Sequence, residues 1–96
     1  PSHYAAQSYD AAQLLNSALT KVQGNVADKP RMLAALKAAD FPSVRGQFRF
    51  GNNNFPIQDM RIFEVVKAPD SRVTLKTIAI PLRDDQDAYH GLCPLK

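Results

Sequence analysis

Residues 45–59 read RGQFRFGNNNFPIQD, and the reading of this stretch decides the fold. Arg45-Gly46-Gln47-Phe48-Arg49-Phe50 alternates with the period of a strand, with Phe48 and Phe50 facing a core and Gln47 and Arg49 facing out. The alternation stops at Gly51. Asn52, Asn53 and Asn54 favour positive φ and turns closed by their own side chains, and Pro56 withholds a ladder donor. A second β-rich run then begins at Met60. The stretch carries no acid–base pair, thiol nucleophile or metal cluster, so it reads as a crossing between two bodies of structure.

Upstream, Ser2 to Val22 has the period of one amphipathic helix. Ala5, Tyr9, Ala12, Leu15, Leu19 and Val22 form its expected buried stripe, and Asp10, Gln13, Ser17 and Lys21 its solvated side. Ser2 suits the N-cap and Gly24 the stop beyond the C-terminus. Asp28 opens a second helix with Pro30 in its first turn, and Met32, Leu33, Leu36 and Ala39 are its apolar stripe. Asp40 and Pro42 close it. Downstream, MRIFEVVK (residues 60–67) and RVTLKTIAI (residues 72–80) predict a β-hairpin turning at Ala68-Pro69-Asp70-Ser71. Pro81 is expected to end the second strand, and residues 86–90 carry a weak helical tendency. The inventory is therefore an α/β fold. Its helical stripes exceed what three strands can cover, which points to self-association or to a larger parent.

At 96 residues and 10.6 kDa the chain is at most one small domain. Its 45% hydrophobic and 22% charged residues exclude disorder, and its apolar runs fall far short of the roughly 20 residues of a membrane span. The net charge of +3 comes from dispersed lysines and arginines, with no cluster that would track phosphates, so nucleic acid is not an expected partner. Cys93 is the sole cysteine, which excludes an internal disulfide and a thiolate metal site. It is either an inert tail residue or half of a bridge to another chain. The chain opens on Pro1 without a signal-like segment, from which processing or truncation of a longer product is expected.

The chemical constellations are sparse. His3 and His90 lack partners at zinc-site spacing, and Asp84, Asp85 and Asp87 lack the glycine and glutamate of a calcium loop. Asp59 and Glu64 lie an odd number of residues apart on a strand and point to opposite faces. An RNA-recognition strand would place an aromatic at Gln47 and a small residue at Phe48, and both positions fail. Neither catalysis, nor a metal, nor a cofactor is expected. Tyr9 on the stripe reads as core. Tyr4, near the N-terminus, offers a ring face and a hydroxyl to a cleft.

Several segments together resemble the C-terminal part of type I periplasmic solute-binding proteins, of the branched-chain amino acid type used by ABC importers. They are Tyr9-Asp10-Ala11-Ala12-Gln13-Leu14-Leu15, Leu33-Ala34-Ala35-Leu36, Phe41, Ser43-Val44-Arg45-Gly46, Phe48-Arg49-Phe50-Gly51, Asn53, Pro56-Ile57-Gln58-Asp59, Asp87-Ala88-Tyr89 and Cys93. In that family two α/β lobes close on a ligand about a three-strand hinge. The resemblance implies that residues 1–50 belong to the first lobe, 51–59 to the last hinge crossing, and 60–96 to the second lobe. It implies a periplasmic, non-catalytic binding component that meets ABC transporter membrane subunits. Its small-molecule solute would be an aliphatic amino acid or a small aromatic acid, held chiefly by residues upstream of this stretch. Tyr4 to Ala6, just before the Tyr9 region, would come nearest the cleft, which makes Tyr4 and Ala6 the candidate ligand-binding residues. The competing readings are a small self-associating α/β interaction module without a small-molecule ligand and, third, an RNA-binding domain.

Overall fold

The computed structural model describes residues 2–93 and 95. Helix α1 spans His3–Lys21 and α2 spans Lys29–Lys37. Strand β1 is Arg49–Phe50, β2 Pro56–Lys67 and β3 Val73–Asp85. The strands form one antiparallel sheet in the order β1-β2-β3.

The helix ends are where the side chains dictate. Ser2 Oγ accepts the Ala5 N–H at 3.2 Å, and Asp28 Oδ1 accepts the Arg31 N–H at 3.2 Å, each satisfying a first-turn donor. Gln23 and Gly24 leave α1 with φ of 53° and 76°, and the Gly24 N–H bonds back to the Leu19 carbonyl. Lys21 near the end of α1 reaches Asp40 at 2.8 Å, tying the two helices together beyond their apolar contact.

The buried face of α1 is not the expected one. Ala18 and Val22 pack on Ala35, with Met32 and Leu36 beside them, and Asp10 is also buried. Tyr9, Leu15 and Leu19, expected in the core, are exposed. The buried face runs through positions 10, 14, 18 and 22; of the expected stripe 5, 9, 12, 15, 19 and 22 it keeps only Val22, while Asp10, Gln13 and Ser17, expected on the solvated side, turn inward. On α2 the inward residues are Met32, Ala35, Leu36 and Ala39, whereas Leu33 is exposed.

Phe48 and Phe50 turn inward while Gln47 and Arg49 stay outside. The Phe48 ring meets Phe41 at 5.3 Å and Phe50 edge-on at 5.1 Å. Regular pairing is nevertheless confined to Arg49 and Phe50, because residues 44–47 form a turn and bend. Strand β2 starts earlier than expected, at Pro56, which pairs with Phe50 at its first residue. Strand β3 runs past Pro81 to Asp85. It does so through bulges: Met60 and Ile62 pair with Leu82 and Ala79, so β3 carries an extra residue where Pro81 sits. A bulge removes the need for a ladder donor, and the proline is accommodated. A second bulge between Leu82 and Asp85 holds Asp84 at a φ of 49°. The hairpin turn closes with Ser71 N–H to the Ala68 carbonyl at 2.9 Å and Ser71 at a φ of 67°.

The three asparagines have separate tasks. Asn52 Nδ2 donates to the His90 carbonyl at 3.0 Å, buried Asn53 Nδ2 donates to Asp87 Oδ2 at 2.7 Å, and Asn54 takes the left-handed backbone with a φ of 59°. The crossing segment thereby holds down the chain after β3. That part forms turns at residues 88–92 rather than the helical turn expected at 86–90.

Candidate functional site

The site is built from Asp10 upward. Only 1% of Asp10 is exposed, although a lone buried carboxylate would be prohibitively desolvated. Three groups compensate it. The Ser43 hydroxyl donates to Oδ2 at 2.6 Å, the Val44 N–H to Oδ1 at 3.0 Å and the Arg45 Nε to Oδ2 at 2.7 Å, while Ser43 Oγ itself accepts the Arg45 N–H at 3.1 Å. Burial pushes the carboxyl upward, but the Ser43, Arg45 and Val44 donors outweigh it and hold Asp10 below the usual carboxylate range. Arg45 reaches on to β2, donating to Gln58 Oε1 at 3.1 Å, and its guanidinium lies 5.0 Å over the Phe48 ring. One buried carboxylate thus ties α1 to the 43–46 turn and, through Arg45, to β2.

This joint leaves a groove of about 980 Å³ between the first turns of α1 and the flank of the hairpin. Ala5, Ala6 and Tyr9 line it from the helix, Arg45 and Gly46 from the turn, and Gln58, Asp59, Met60, Arg61, Phe63 and Leu75 from the sheet. Its volume is of the size that takes a small organic molecule. Ala6 is half-buried in this lining. Tyr4 is outside it, 78% exposed, with its ring edge-on to His3 at 6.0 Å. Tyr9, expected in the core, is 53% exposed and lines the groove. Sequence reasoning missed Arg45 and Asp10 as a pair because 35 residues separate them and no local spacing announces them. Among the described residues no group of three or more histidines, cysteines, aspartates or glutamates is placed to hold a metal ion.

A family model described as periplasmic binding protein matches residues 1–70, which include both helices, β1 and all of β2. No curated protein and no solved structure matches the chain.

Proposed function

The chain belongs to the periplasmic binding protein family, and from that membership we propose that it is the C-terminal part of the solute-binding component of an ABC importer. The observation that carries this reading is the groove beside the first turns of α1, large enough for a small solute, apolar on much of its wall and edged by polar groups. In this reading residues 1–50 belong to one lobe, 51–59 cross the hinge, and 60–96 add strands to the other lobe. The protein works in the periplasm, without chemistry of its own, and delivers its solute to ABC transporter membrane subunits. The solute is a branched-chain or other amino acid or a small aromatic acid. Ala6 and Tyr9 form part of the groove wall, and Tyr4, outside that lining, is the residue proposed to meet the solute when the other lobe closes.

The experiment is a thermal-shift screen of the complete encoded polypeptide against aliphatic amino acids and aromatic acids. A ligand at a hundred times its Kd stabilises a protein by about 2.7 kcal/mol, which is readily seen. A member of the panel is expected to raise Tm, and Tyr4→Ala and Ala6→Leu to reduce that rise while leaving the unliganded Tm close to wild type. A screen in which nothing raises Tm would overturn the reading.

A second reading has its own observation. Ile62, Phe63, Val65, Val73, Leu75 and Ile78 leave the hairpin apolar and exposed. Such a surface suits a second copy of the chain as well as a second lobe, and self-association of the 96 residues is the expected behaviour when no other lobe covers it.

A further inference from the structure

The groove contains two arginines in different circumstances. Arg45 has acceptors for two of its nitrogens, Asp10 for Nε at 2.7 Å and Gln58 for Nη1 at 3.1 Å. Arg61, on β2 in the same lining, is short of acceptors. Its nearest carboxylate oxygen, Asp59 Oδ2, stands at 3.7 Å, beyond hydrogen-bond distance, and the same oxygen is 3.8 Å from Arg83. Arg61 Nε is closed off from solvent and has no acceptor. A donor left in that state costs free energy, and because the Arg61 side chain as a whole keeps 30% of its surface exposed, its other N–H groups can be reached by an acceptor in the groove.

The surroundings single out the sign and shape of that ligand. Gly46, at a φ of 100°, lies against the guanidinium so closely that a Cβ there would come within 2.9 Å of Arg61 Nη2. The turn therefore braces Arg61 in place. Across the groove stands the start of α1, whose first turn carries no acidic residue, so the positive end of the helix dipole is uncompensated there. Neither carboxylate at hand is free for an ammonium group: Asp10 is taken by Arg45, and Asp59 lies between two arginines. Tyr9, Met60, Phe63 and Leu75 make the remaining wall apolar.

We propose that Arg61 is the anion-recognition residue of this groove, and that the groove takes a small carboxylic acid with an aromatic or apolar body and no ammonium group. The proposal rests on the solute-binding reading of the groove and narrows the two solute classes left open there to one. A guanidinium presents a planar fork that matches both oxygens of a carboxylate, which a lysine in its place would not.

The test is an NMR titration of the isotope-labelled 96-residue chain at pH 7 with benzoate and, separately, with its neutral analogue benzamide. Benzoate is expected to shift the Arg61 Nε–H signal and the amides of Ala5, Ala6 and Tyr9 saturably in the millimolar range. Benzamide should bind at least tenfold more weakly. Arg61→Gln is expected to weaken benzoate at least tenfold and leave benzamide unchanged. Arg61→Lys, which keeps the charge and guards against a misfolded glutamine variant, should fall between. If both probes shift the groove amides equally and Arg61→Gln changes neither, the role of Arg61 is refuted while the groove remains a binding site. If neither probe shifts those amides, the groove reading and the role of Arg61 fall together.

Discussion

Asp10 is the residue on which the arrangement turns. Removing its carboxylate leaves the Ser43 hydroxyl, the Val44 N–H and the Arg45 Nε without their acceptor. Breaking one side of a buried pair costs about 3–5 kcal/mol, and because Arg45 keeps some solvent contact the lower end of about 3 kcal/mol is expected for Asp10→Ala. Urea unfolding at pH 7 measures it. The pH dependence has a definite sign. A carboxyl held below its ordinary 3.8 contributes stability that is fully present above that value and is lost as pH falls through the lower folded value. Asp40, lowered by its hydrogen bond and charge interaction with Lys21, acts in the same direction at the surface. Wild type is therefore expected to lose stability below about pH 4 more steeply than Asp10→Asn, which has no such carboxyl to protonate. Parallel acid profiles for the two proteins would refute that role. Gly46→Ala is a separate case: at a φ of 100° a side chain is strained, and about 1–2 kcal/mol of destabilisation is expected from thermal unfolding.

Among the elements, Asn53 joins the crossing segment to the chain beyond β3. Its Nδ2 bonds Asp87 while its Oδ1 accepts the Phe55 N–H at 3.2 Å. Asn53→Ala should speed amide hydrogen exchange at residues 87–92 at least several-fold and leave the middle of α1 unchanged. Equal rates in both proteins would show that the turns at 88–92 hold without it. The helices, their caps and the hairpin turn were legible in the sequence because their causes are local: Ser2, Asp28, Pro30 and Pro69-Asp70 act within a few residues. The buried face of α1 was not, because periodicity assigns an aspartate to solvent and cannot register an arginine 35 positions away. Tyr9 followed from the same change of face, moving from presumed core to groove wall. Strand β3 was cut short at Pro81 for a related reason, since a bulge shows itself in the pairing of two strands and not in either strand alone.

The whole molecule is drawn out. Its radius of gyration is 16.3 Å, against about 12–13 Å for a compact chain of this length. The helical pair and the hairpin are each well formed, and the Asp10–Arg45–Gln58 chain of bonds links them across the groove. Much apolar surface on the hairpin stays uncovered, and β3 lies at one edge of the sheet. Sedimentation of the 96-residue chain at micromolar concentration should accordingly show a dimer or larger species, and a well-dispersed monomer would mean that the exposed faces are tolerated. The solute-binding role itself is tested most directly by calorimetry on the complete encoded polypeptide, with the 96-residue chain measured beside it, against a panel of aromatic acids and branched-chain amino acids. Micromolar binding of one class by the complete polypeptide, with millimolar binding by the 96 residues alone, is the expected result. Absence of binding by the complete polypeptide, or micromolar binding by the shorter chain alone, would contradict it.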